Sequence, residues 1–193
     1  MTSVTEEYDR LRKAAEALPP MPPLTYPEIS RGELHMMMSP SGRHEWTARL
    51  IRRQLDEQMP EGLVAETGGD VEDRRLGILR RPDVLVTAPE AFDTDGPLTA
   101  RDIIMAIEVV SPSNPGNDYD EKVHEYPAMG ITHYVIVDPR EGKVTHYWSP
   151  VGTEVEEASY ENVTRHRFGA VVQLGDWTLD TSELPRYGTG AGG

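Results

Sequence analysis

The sequence predicts an α/β chain, α+β in detail, in which strand-length and helix-length segments alternate and further antiparallel strands follow. Two apolar runs, Ile103 to Val110 (IIMAIEVV) and Ile131 to Pro139 (ITHYVIVDP), enclose a charged segment of helix length. Two other stretches carry apolar residues at helical spacing, one at the N-terminus and one around Trp46 to Leu55. With 193 residues the chain is expected to form one domain with extensions. The expected division is a helix and proline-rich arm over 1–28, a core domain over 29–185 and a flexible tail over 186–193.

From Thr2 to Leu18, the residues Leu11, Ala14, Ala15 and Leu18 predict a short amphipathic helix that packs on a partner or on its own body. PPMPPLTYP then ends it, because proline fixes φ and lacks a donor, and it is read as an extended linker. RGELHMMMSP reads as a strand with Leu34, Met36 and Met38 on one face and Glu33, His35 and Met37 on the other. The methionines are core filler and Glu33 is first of all an exposed strand charge. His44 stands before a helical pattern whose stripe is Trp46, Leu50, Ile51 and Leu55, and it is a helix-start residue as well as a site candidate.

GLVAETGGDVEDRRLGILRRPDVLVTA gives a short strand, a turn at Gly68 and Gly69, a second tight turn and a strand entered through Pro82 and Asp83. Its glycines lack the spacing of a nucleotide-phosphate loop. Antiparallel pairing about Asp95 and Gly96 sets Val84 opposite Ile107 and Asp83 opposite Glu108. Alternation puts Glu108 on the face of Ile104, Ala106 and Val110, which is expected to be core. A carboxylate there must be paired, protonated or bound to a cation. Two carboxylates at one strand end raise each other's cost of ionisation unless a divalent cation lies between them. Mg²⁺, or Mn²⁺ in its place, suits such hard oxygen ligands.

Asp118, Lys122 and Tyr126 are four apart and line one side of a helix that follows SPSNPGN. Lys122 over the strand end would stabilise charge on a phosphate or orient a water; otherwise it forms an ordinary surface pair with Asp118. Pro127 and Gly130 limit this helix to two or three turns. THYVIVDPREGKVTHYWSP reads as a hairpin about Arg140 to Gly142, with His133, Val135 and Val137 alternating against Tyr134 and Ile136, and Asp138 as a strand-ending cap. His146, Tyr147 and Trp148 offer either stacking surfaces for a nucleic acid or a cross-strand aromatic cluster. TEVEEASYENV and RFGAVVQLGDWTLDTSEL add short strands that cover a sheet edge or build a dimer contact.

The pattern RPDV, IEVVSPS, then D, K and Y at helical spacing, a glycine and YVIVDP resembles the Uma-type putative restriction endonucleases, a branch of the PD-(D/E)XK nuclease superfamily. The resemblance runs from about Ile29 to Leu184, with its specific part between Pro82 and Pro139. It implies a restriction-endonuclease-like mixed central sheet flanked by helices and a divalent-metal-dependent endonuclease that hydrolyses DNA phosphodiester bonds. By the same resemblance Asp83 and Glu108 hold the metal. Glu33, His44 and the Val109 backbone carbonyl are secondary candidates. The superfamily's lysine falls at Val110 and is absent, which moves its role to Lys122.

The net charge of -14 runs against a nonspecific DNA binder, whose affinity comes from Lys and Arg. Arg74, Arg75, Arg80 and Arg81, with Arg49, Arg52 and Arg53, either form a basic rim or pair with the abundant acids. The acidic chain, the lost lysine and the sheet edges favour an alternative, a nuclease-like fold without turnover that binds DNA or assembles as a homodimer. Absence of cysteine and of an apolar N-terminal signal core points to the cytoplasm, and no run approaches the roughly 18 apolar residues of a membrane span. No nucleophile elbow or zinc-protease histidine spacing occurs.

Overall fold

A computed structural model describes residues 3–112 and 116–188. Its helices are α1 (Val4–Glu16), α2 (Gly42–Asp56) and α3 (Lys122–Ala128). The strands begin with β1 (Leu24–Ser30), β2 (Glu33–Met38), β3 (Val64–Thr67), β4 (Val71–Asp73), β5 (Ile78–Arg80) and β6 (Val84–Thr87). After them come β7 (Leu98–Thr99), β8 (Ile103–Val109), β9 (His133–Asp138), β10 (Lys143–Val151), β11 (Ser159–Arg167), β12 (Val171–Leu174) and β13 (Trp177–Asp180).

Six strands form the main sheet in the order β11-β10-β9-β8-β6-β3. Its one parallel pair is β8 with β9; the other neighbours are antiparallel, so the sheet is mixed. Parallel neighbours need a long crossover, and the chain between them supplies it with a turn of π geometry at Asn117–Glu121 running into α3. A second sheet has the order β2-β1-β5-β4-β7, and β12 pairs with β13 separately. The alternation of side chains along β6, β8 and β9 gives the main sheet two apolar faces. One face, with Val84, Val86, Met105, Ile107, Val135 and Val137, packs with Ile51 and Leu55 of α2 and with Val172 and Leu179. The other, with Leu85, Ala106, Val110, Tyr134 and Ile136, packs with Tyr126 and Met129. Each fully buried aliphatic side chain here contributes about 1.5–3 kcal/mol relative to exposure.

The expected register of Val84 against Ile107 is present. The link between β6 and β8, which contains Asp95 and Gly96, has structure of its own. It holds a 3-10 turn at Pro89–Phe92, then β7, which pairs parallel with β4, then a second 3-10 turn at Ala100–Asp102. The register also shifts between Val86 and Thr87, so Ile104 turns to the α2 side rather than sharing the face of Ala106 and Val110.

The proline-rich stretch is a linker only in its first half, since Leu24–Ser30 is a strand paired with β2 and β5. A one-residue irregularity between Leu24 and Tyr26 ends the alternation of β2, and Met38 is exposed instead of in the core. α1 packs on its own body: Tyr8 is buried with Ile29 and Leu79, and its hydroxyl donates to Glu72 at 2.6 Å. α2 starts earlier than its apolar stripe suggested, because Ser41 caps it through the His44 N–H. Its inner face is therefore His44, Thr47, Ala48, Ile51 and Leu55, and Trp46 is exposed. The expected hairpin is β9 with β10. β11 covers the β10 edge. Of the expected tail, Tyr187 N–H donates to the Pro139 carbonyl, while 189–193 lie outside the described residues, as does the 113–115 part of the SPSNPGN loop.

Candidate active site

Asp83 precedes β6, and its neighbouring position across the pair is Glu108, next to last in β8. The Asp83 carboxylate is fixed from two sides. Oδ2 accepts the Val109 N–H at 2.7 Å, and Oδ1 lies 2.8 Å from Nε2 of His44 in the first turn of α2. Two strand ends and one helix start thus meet at this aspartate, and Val109 follows Glu108 at the end of β8. The aspartate raises the His44 imidazole above its ordinary value against the opposing effect of burial.

Glu108 is 3% exposed and answers the question its sequence setting posed. Its Oε1 accepts the Tyr126 hydroxyl and lies 2.9 Å from Lys122 Nζ, which reaches Asp118 Oδ1 at 3.1 Å as well. The four-residue spacing of Asp118, Lys122 and Tyr126 is what aims all three at one strand end. The pair of Asp118 and Lys122 is therefore buried and is not an ordinary surface pair. Tyr134 on β9 stacks edge-on against Tyr126 at 4.9 Å and donates to the Asp118 carbonyl. Val110 is buried among apolar side chains, so a lysine there would enter the core.

Burial, with the fields of Asp83, Asp118 and Glu28, pushes the Glu108 carboxyl well above the usual carboxylate range against the pull of Lys122. Burial raises Asp118 too. Lys122 is opposed by burial, but Glu108, Asp118 and Glu28 outweigh it and hold the ammonium above the ordinary lysine value. The carboxylates Glu28, Asp83, Glu108 and Asp118 share one region in which Lys122 and Arg80 are the fixed cations.

Arg80 is not part of a basic rim; it pairs with acids, as the other expectation has it, but in the core rather than in solvent, being 1% exposed. Its Nε lies 2.6 Å from Glu125 Oε2, Nη1 2.7 Å from Glu28 Oε2 and 3.1 Å from Asn117 Oδ1, and Nη2 2.9 Å from Glu121 Oε2. Ser30 donates to the other Glu125 oxygen. This guanidinium ties β1 and β5 to the segment that carries Asp118 and Lys122. Sequence reading missed Glu28 and Glu125 as well. Glu28 carried the same signal as Glu108, a carboxylate inside a strand-length run, hidden by its prolines.

Glu33 is not brought to this cluster; it is an exposed residue of β2, 3.6 Å from His35. Arg74 pairs with Asp9, Arg75 with Glu154, Arg52 with Glu66 and Arg53 with Glu183. His146 stacks on Trp148 at 4.8 Å and contacts His133, and Tyr147 stacks on Tyr134, so the cross-strand cluster accounts for these aromatics. Among the described residues, no three His, Asp or Glu side chains form a ready-made metal cage. The donor set, two carboxylates at adjoining strand ends, is of the hard-oxygen kind that Mg²⁺ takes together with water and phosphate.

A family model described as Uma2, putative restriction endonuclease, matches residues 5–181. A crystal structure of a putative nuclease belonging to DUF820 from Anabaena variabilis is similar in fold, with a TM-score of 0.66, 16% sequence identity, and coverage of 92% of this chain and 96% of that one. No curated protein matches. No helix among the described residues is long and apolar enough to cross a membrane.

Proposed function

This chain belongs to the Uma2 family of putative restriction endonucleases, and on that premise we propose that it is a divalent-metal-dependent endonuclease that hydrolyses DNA phosphodiester bonds. Asp83 and Glu108 would hold Mg²⁺ or Mn²⁺, with the Val109 carbonyl as a further oxygen donor. When bound, such an ion supplies an acidified water and offsets charge on the phosphate. The chain's own groups do the rest. His44 and the Val109 N–H orient the Asp83 carboxylate, and Tyr126 donates to Glu108. Lys122, whose ammonium is favoured by Glu108 and Asp118, reaches the same carboxylate, where it would stabilise charge developing on the phosphate. The observation that carries this reading is the Lys122 ammonium 2.9 Å from Glu108, delivered by the helix in place of the absent lysine at Val110.

The same ion pair favours a second reading, a nuclease-like fold that binds DNA or assembles as a homodimer without turnover. Glu108 Oε1 is already engaged and the residue is 3% exposed. Calorimetry of Mg²⁺ and Mn²⁺ binding, with plasmid nicking on the same samples, separates the two. The wild type should bind metal and nick, and Glu108→Ala should do neither while remaining folded. A folded wild type that binds no metal even with DNA present removes the catalytic reading.

A further inference from the structure

The Asp83 side of the site opens into a cleft of about 470 Å³ whose walls include Tyr26, His44, Arg49, Gly68, Arg81 and Asp83. Three arginines border this one cleft, Arg52 being the third, against the carboxylates Glu45, Glu66 and Asp83, of which Glu66 is taken up by Arg52 and Asp83 by His44. Arg52 is committed elsewhere, to the Ala65 carbonyl at 2.8 Å and Glu66 at 2.9 Å. Arg49 is exposed on α2 and pairs with no carboxylate among the described residues. Arg81 has only a long contact to Asp70, at 3.4 Å, and its guanidinium is held over the Tyr26 ring at 5.1 Å. The ring holds the guanidinium in place, and with Nη1 turned to Asp70 its other N–H groups remain for an anion. Gly68, at φ +69°, lies against the same guanidinium, and a Cβ there would come within 3.4 Å of its Nη2.

We propose that this cleft seats a backbone phosphate of one nucleic-acid strand, beside the phosphodiester presented to Asp83 and Glu108, with Arg49 and Arg81 as its clamp. The inference deepens the endonuclease reading and rests on it for the identity of the polyanion. Planar guanidinium forks match phosphate oxygens, and a cleft of this size accepts one strand rather than a duplex. Arg49 and Arg81 are positioning residues. They would set affinity and register, and leave metal binding to the carboxylates.

The test measures binding of single-stranded and duplex 20-nucleotide DNA in chelator over a salt series, for wild type, the double variant Arg49→Gln/Arg81→Gln, and Arg53→Gln, whose arginine lies outside the cleft. All three are checked for a common fold by circular dichroism. The double variant should lose at least tenfold in single-strand affinity at low salt. Its slope of log K against log salt should fall by about 0.7, the value for one phosphate contact on a single strand, while Arg53→Gln binds as wild type. An unchanged slope in the double variant overturns the clamp, as does an equal loss in Arg53→Gln. Plasmid nicking with Mg²⁺ keeps the two ideas apart. Nicking with an unchanged slope sinks the clamp and leaves the nuclease. Slope-dependent binding without nicking keeps the clamp and sinks the nuclease. A wild type that binds no DNA sinks the clamp outright.

Discussion

Replacing Lys122 with Met removes the ammonium that lies 2.9 Å from Glu108 and 3.1 Å from Asp118, with all three side chains under 10% exposed. Taking one partner from a buried ion pair leaves uncompensated charge, at a cost of about 3–5 kcal/mol. For a chain of this size that corresponds to a fall in Tm of about 6–20 °C. The loss should depend on pH with a definite sign. Glu108 already sits well above the carboxylate range in the native state, and losing Lys122 raises it further. Above the unfolded value of about 4.3 the native state of both proteins holds the extra proton and stability falls as pH rises. The two part once pH passes the wild-type Glu108 value, where the wild type levels off with Glu108 ionised against Lys122 and the variant goes on losing about 1.4 kcal/mol per unit. Urea melts in chelator at pH 5, 6.5 and 8 should show a deficit of Lys122→Met that grows with pH. Glu108→Gln combined with Lys122→Met should recover most of the pH 8 loss, since the amide carries no charge. A deficit below about 1 kcal/mol, or one that is the same at pH 5 and pH 8, would show that Lys122 does not neutralise buried carboxylates, and the electrostatic account of the site would fail.

Two further outcomes follow from other clusters. Arg80→Met should destabilise by about 3–5 kcal/mol in guanidinium melts, because Glu28 and Glu125 lose their shared cation in the core, whereas Arg53→Gln, whose pair with Glu183 is half exposed, should cost less than about 1 kcal/mol; similar midpoints for the two variants would contradict this assignment. Burial and the neighbouring His133 pull the His146 imidazole down to about 4. Since the unfolded imidazole titrates at about 6.5, the unfolded state takes up the proton first, and stability present above that pH is lost as pH falls toward 4. A carbon-13 NMR titration of the His146 ring should give a midpoint near 4, and His146→Phe should flatten the acid side of the stability curve; a midpoint near the unfolded value would contradict the burial argument.

By itself the sequence determined the strands β6, β8 and β9, the register of Val84 against Ile107, and the convergence of Asp118, Lys122 and Tyr126, because these follow from local periods of two and of about 3.6 residues. Glu108 was legible for the same reason, as a carboxylate out of place in IIMAIEVV. Tertiary structure alone decided which charges are buried. Arg80 and Arg81 are adjacent and chemically identical, yet one is enclosed by Glu28, Asn117, Glu121 and Glu125 and the other lies in the cleft on Tyr26. Those carboxylates stand 52, 41 and 45 residues from Arg80, and no local pattern encodes such a meeting. His44 joins Asp83 across 39 residues, where a helix-start histidine looked sufficient in itself. A period fixes the face on which a side chain points. Whether that face meets water, hydrocarbon or an opposite charge depends on elements distant in sequence, and for ionisable groups that environment decides charge and role.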